Sequence, residues 1–278
     1  MQANLFQTIE KNNFITRLSG VTKLITFLAL TFGVMFSFDL RYILAVFLLS
    51  LIVFFFSGIP YRKVRTMLIY VTVYVLLNTV LTYFFSPRYG NAIFGTEHVI
   101  FEWNRYLVLT QEEVFYLIVK TMKYFAVVPF GIVFFFTTQP SEFASSLNRV
   151  GVSYKAAYAF ALTLRYFPDM VRQYRDISMA QQSRGLDLSR KEKMGKRIRN
   201  TMSILVPLIL TTLNRIEAIT NSMDLRSFGK NKKRTWYAAR PLHTSDWLCM
   251  ALCGMIFLIS IVLIFWVNHS RYWNPFIL

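Results

Sequence analysis

Charge is scarce in this 278-residue sequence: 16% of its residues are Asp, Glu, Lys or Arg, whereas 55% are hydrophobic and 27 are phenylalanine. A soluble domain carries about a quarter charged residues, so that class is excluded. Acid is scarcer still, with 14 Asp and Glu against 31 Lys and Arg, a formal net charge of +17. Cysteine occurs twice, at Cys249 and Cys253, one helical turn apart in one apolar run. That excludes a disulfide framework and reads as small residues packing against a neighbouring helix. The three histidines, His98, His243 and His269, stand far apart without metal-ligand spacing. There is no HExxH, no GxSxG, no phosphate-binding glycine loop and no carboxylate cluster inside an apolar run. These absences assign the chain no catalytic, cofactor-binding or metal-binding residue.

What the sequence has is apolar length. Five runs approach the ~20 residues that a helix needs to span a bilayer: Val21–Phe38, Tyr42–Gly58, Met67–Phe85, Phe115–Thr137 and Asp246–Val267. No small-residue cleavage site follows the first, so it reads as a retained span. The fold class expected is all-α and polytopic: four spans in residues 1–137, an inserted helical segment over 138–245, and a last span with a tail over 246–278. With the amino terminus in the cytoplasm, 25 Lys and Arg fall on the inner side and four on the outer, counting 19 between Gln139 and Ser245. This positive-inside bias puts the carboxyl terminus outside the membrane. The same basic charge suits anionic lipid better than nucleic acid, because it borders membrane spans. Lys120 and Lys123 lie within the fourth run. Lys120, roughly 7–8 Å from its outer edge, can snorkel, and the deeper Lys123 is a candidate contact for a membrane partner.

The inserted segment is helical. Gln139-Pro140-Ser141 with Glu142 has helix-start chemistry, Gly151 ends a short helix, and Ser153 caps a long one. A second long helix follows from about Lys196. Both begin apolar, contain a proline (Pro168, Pro207) and end polar. Their apolar halves are too short or too interrupted for spans and suit helices at the bilayer interface, bent at the prolines. One ends in "AQQSRG" with Ser183, Arg184 and Gly185, and the other in "SMDLRSFG" with Leu225, Arg226 and Ser227.

Two arginine tripeptides, 42 residues apart, after four spans and before a last one, resemble the transmembrane T component of energy-coupling factor (ECF) transporters. "AQQSRG", the approach "TTQPSEFASSLNRVGVSYKAAYAFALTLRYFPDMV" and "FFFSGIPYRKV" after the second run carry the resemblance. The second tripeptide keeps the arginine without the family's usual neighbours, and "LSGVTKLI" lacks an Asp-Pro-Arg common in shared-module members. The resemblance implies a non-catalytic subunit in a bacterial or archaeal cell membrane. Each arginine tip would dock on one of two cytosolic ABC-type ATPases, which bind ATP and Mg. The T component would also hold a small membrane protein, the S component, that binds a vitamin or a transition-metal ion. Two related ATPases offer two similar grooves, so one partner needs two similar plugs. A guanidinium fork orients a carboxylate or helix-end carbonyls better than a lysine does. The alternatives are a basic membrane scaffold for anionic lipid or a cytosolic partner, and an intramembrane enzyme without a recognisable motif.

Overall fold

A computed structural model of the chain describes residues 13–102, 108–186, 193–231, 235–237 and 239–276. Of the basic residues counted above, Lys11, Arg105 and several after Leu186 lie outside these stretches. All five expected runs are helices: α2 (Gly20–Phe36), α3 (Leu40–Phe56), α4 (Tyr61–Phe85), α6 (Gln111–Thr137) and α10 (Thr244–Val262), the last continued by a π-helical turn, Leu263–Val267. A single turn, α1 (Phe14–Arg17), precedes them. Starts follow local chemistry. Ser19 accepts from Thr22 N–H to open α2, Asp39 from Arg41 N–H to open α3, and Thr110 from Glu113 N–H to open α6.

The chain divides into two compact units. One, the membrane unit, comprises residues 1–143 and 240–278, and the other, the inserted unit, Ala144–Ala239. In the membrane unit α6 is central and packs on α2, α3 and α4, while α10 packs on α2. Leu30, Val34, Ile43, Val46, Val119, Ala126, Phe130 and Cys253 form one buried cluster, and Ile59, Val64, Ile132 and Val133 form a second. The outward faces stay apolar, with Phe55, Phe85 and Trp266 largely exposed, as a lipid-facing surface requires. Cys253 belongs to the core and Cys249 borders it, in accord with a packing role.

The link between α4 and α6 contains a short helix, α5 (Tyr89–Phe94), and a hairpin of β1 (Val99–Glu102) and β2 (Val108–Thr110). These make a cap with the tail after α10. Phe38 donates its N–H to Arg271 O at 2.9 Å, Asn268 its amide to Asp39 Oδ2 at 3.0 Å, and Asn274 its amide to Phe94 O at 3.1 Å. Phe94, Phe115, Tyr272 and Phe276 fill the cap with edge-to-face rings. Neither this cap nor its long-range bonds could be read from periodicity.

Three helices carry the inserted unit: α7 (Pro140–Arg149), shared with the membrane unit, then α8 (Tyr154–Ser183) and α9 (Met194–Leu225). Ser153 caps α8, and α8 and α9 run unbroken through Pro168 and Pro207. Among the described residues four helices have the length and composition to cross a membrane: α4, α6, α10 with its π-turn, and α9. The last differs from the sequence reading, which counted only its apolar middle; the helix is 32 residues long. Its exposed apolar side chains, Ile198, Met202, Val206, Ile209, Leu213 and Ile216, recur every three or four residues along one stripe. α2 and α3, at 17 residues each, are the short apolar pair.

Candidate functional site: two arginine-capped helix ends

Arg184 and Arg226 occupy the same structural position. Each is the C-cap of its helix, with φ, ψ of −87°, 11° and −88°, 15°. The next residue turns left-handed in both, Gly185 at φ +87° and Ser227 at φ +55°. The hydrogen bonds repeat. Gly185 N–H donates to Gln182 O at 2.9 Å and Leu186 N–H to Gln181 O at 3.1 Å; Ser227 N–H donates to Asp224 O at 2.9 Å and Phe228 N–H to Met223 O at 3.0 Å. This is a Schellman cap at both ends, which satisfies the last carbonyls of the helix and points the following residue back onto it. Accordingly Leu186 and Phe228 are half-buried, while Ser183, Arg184 and Gly185, like Leu225, Arg226 and Ser227, are exposed. Leu225 is 89% exposed beside its arginine.

Gly185 has a conformational reason within the chain: its φ is positive, while a Cβ added there would meet nothing of the chain within 4 Å. Glycine is required by the positive φ. Serine meets the same requirement at Ser227, where a side chain in the left-handed region costs about 1–2 kcal/mol. A glycine one residue past the helix signals such a cap in the first tripeptide; Ser227 carries no such signal.

The second tip is held from behind. Phe228 packs at a tilt against Tyr154 and Tyr158, with centroids at 5.5 and 4.8 Å, and Trp236 joins them at 5.5 Å from Tyr154. Trp236 also donates its Nε1–H to Asn148 Oδ1 at 3.1 Å. Gly229, at φ +82°, leaves room for Lys155, whose Cε would lie 3.0 Å from a Cβ there. The end of α9 therefore rests on the start of α8. The first tip stands at the far end of α8, about 45 Å of helix away. The two arginines mark opposite ends of the inserted unit.

Lys123 lies elsewhere. It is 5% exposed, donates to Met35 O at 2.8 Å and sits 3.3 Å from the Phe38 ring centroid. Met35 O belongs to the last turn of α2, where carbonyls lack intrahelical donors. Its ammonium is thus committed to the end of a neighbouring helix, an assignment that needed the three-dimensional packing. Lys120 donates to Thr82 Oγ1. Among the described residues no group of three or more His, Cys, Asp or Glu is placed to hold a metal.

Two arginine-tipped helices set into a polytopic α-helical membrane protein define the class. Residues 11–237 match the model of the CbiQ family, described as a cobalt transport protein. The chain belongs to that family, as an EcfT/CbiQ-like T component of ECF transporters. Among its relatives is the energy-coupling factor transporter transmembrane protein EcfT of Clostridium kluyveri, 24% identical over 80% of this chain and 82% of its own length. The EcfT of Staphylococcus aureus is 22% identical over 68% of this chain and 70% of its own. A putative ABC transporter ATP-binding protein of Bifidobacterium longum is 26% identical over 56% of this chain, which spans only 21% of that protein.

Proposed function

We propose that this chain couples ATP-driven motion of two cytosolic ABC-type ATPases to a small substrate-binding membrane protein, for uptake of a vitamin or a transition-metal ion. The observation that carries this reading is the repeated cap: two exposed arginines, held by the same backbone geometry at the ends of two long helices. Contacts between arginine and anionic phospholipid need no such repetition of φ and ψ. The identities of the relatives, EcfT proteins and an ABC transporter ATP-binding protein, support the same partners. The apolar stripe of α9 offers a surface for the substrate-binding protein or the bilayer. The chain itself contributes no catalytic group; ATP and Mg belong to the ATPases. The amino terminus is proposed to be cytoplasmic and the carboxyl terminus external, on the basic asymmetry.

The test is affinity purification of the tagged chain from its native membrane, followed by reconstitution and ATP-driven uptake of labelled Co²⁺, Ni²⁺, biotin, thiamine and riboflavin. Two ATPases and a small membrane protein are expected to copurify and one of these probes to be carried. The variant with both Arg184→Ala and Arg226→Ala is expected to insert normally and lose both ATPases. Full uptake by that variant would reduce the arginines to lipid contacts.

A further inference from the structure

The inserted unit is joined to the membrane unit by two connections, one leaving after Phe143 and one returning at Arg240. At both, a charged residue turns back into the membrane unit. Glu142, in the first turn of α7 and 3% exposed, accepts the N–H of Gly20 at 2.9 Å. Asp246, in the first turn of α10 and 1% exposed, accepts the N–H of Ser19 and the hydroxyl of Thr22, both at 2.9 Å. Its other oxygen accepts His243 N–H at 2.9 Å, the local bond expected of an acid in a first turn.

Ser19 and Gly20 open α2, and their N–H groups have no partner inside that helix. Acids from two other helices supply them, across 227 and 122 residues of sequence. Arg240 completes the arrangement. Its Nε lies 3.6 Å from Glu142 Oε1, and its Nη1 donates to Thr16 O at 3.1 Å, just ahead of α2. The starts of α2, α7 and α10 thus meet in one largely buried charged cluster, at the place where the chain leaves and re-enters the membrane unit. Neutral caps would satisfy the same N–H groups. Charges drawn from both connections do more: pulling them apart would strand a buried carboxylate, so the junction resists separation.

We propose that Glu142, Arg240 and Asp246 form a coupling clamp. They bind the two connections to the start of α2, so that displacement of the inserted unit is delivered to the spans rather than absorbed at its attachment. This rests on the coupling function proposed above. The three are positioning residues, acting through α2 and α10.

The experiment uses the reconstituted complex and reads ATP hydrolysed per Co²⁺ carried, or per molecule of whichever vitamin the uptake panel identifies. Glu142→Gln keeps an acceptor for Gly20 and removes the ion pair. Arg240→Met keeps the stem and removes the charge. Each is expected to raise the ATP cost per transported probe about tenfold, within the usual range of coupling between linked sites. ATPase copurification and hydrolysis rate should stay within about twofold of the unmodified chain. The double variant should be no worse than Arg240→Met alone, because the ion pair that Glu142→Gln removes is already gone there, and Arg240→Lys should recover part of the coupling. Should Glu142→Gln fail to accumulate, Arg240→Met carries the test, since its side chain is about half exposed. An unchanged ratio in Arg240→Met, or lower stability and hydrolysis with an unchanged ratio, would overturn the clamp alone. An unmodified complex without ATP-driven uptake of any probe would overturn the functional reading beneath it.

Discussion

The two arginine tips reach one backbone geometry by different means. At the first, Gly185 takes the left-handed residue at no side-chain cost, and Leu186 folds back half-buried. At the second, Ser227 carries a side chain in the same region, and Phe228 folds back onto Tyr154 and Tyr158. The aromatic anchor offsets the strain. What the difference teaches is that the cap, rather than the tripeptide's letters, is the repeated unit. The two tips should then differ in stiffness more than in shape.

The largest expected effect comes from the arginines singly. Loss of one charge-assisted bond costs about 1.5–3 kcal/mol, so ATPase affinity should fall by roughly one to two orders of magnitude. The remaining tip, on the same platform, should keep some ATPase bound through its high effective concentration. Arg226→Ala should weaken pull-down more than Arg184→Ala, because the pre-anchored tip has less freedom to lose on docking. Equal losses would mean that the aromatic anchor adds nothing to binding.

Next in size is the anchor itself. Phe228→Ala removes a half-buried ring from its two aromatic neighbours, Tyr154 and Tyr158, and should cost about 2–4 kcal/mol of local stability. Hydrogen exchange at the end of α9 should accelerate, while the end of α8 stays as it was. Leu186→Ala should have a smaller effect at its own tip.

Lys123→Met offers a control outside both tips. It removes the donor to Met35 O and the contact with Phe38, so thermal stability should fall by about 1–3 kcal/mol, with ATPase copurification unchanged. Loss of the partner proteins at unchanged stability would restore a partner-contact role to this lysine.

The smallest changes sharpen the comparison most directly. Gly185→Ala should destabilise the first tip by about 1 kcal/mol, through φ alone, since the added methyl meets open space. Ser227→Gly should stabilise the second by up to about 1 kcal/mol. Opposite signs in paired melting experiments would establish the shared cap; the same sign would break it.

The elements that sequence reading recovers are those whose cause is local. Five apolar runs, the Ser153 cap and the Gly151 stop were legible because periodicity and capping act within a few residues. Arg184 and Arg226 were legible as a repeat. Ser227 was hidden, because serine is seldom the residue that turns left-handed. Glu142 looked like an acid serving its own helix, yet it serves Gly20, 122 residues earlier. Lys123, named as a candidate partner contact, donates to Met35 O at the end of α2. Each of these side chains is claimed by a group far away in sequence, and no local pattern encodes the claimant. The length of α9 was cut short for a related reason: its polar residues interrupt the run without interrupting the stripe.

The bond from Ser19 N–H to Asp246 spans 227 residues and sets an order on the making of the protein. Chains are synthesised at about 5–20 residues per second, so the first span emerges roughly 10–45 s before the acid that closes its beginning. During that interval the Ser19 amide and the Thr22 hydroxyl must be served by water, lipid headgroups or local groups, whereas Gly20 can already meet Glu142. α10 packs along α2 as well, so α2 gains this neighbour only after α10 has been made. A chain cut short before Asp246 would therefore reveal its defect at the opposite end, as a loosened start of α2.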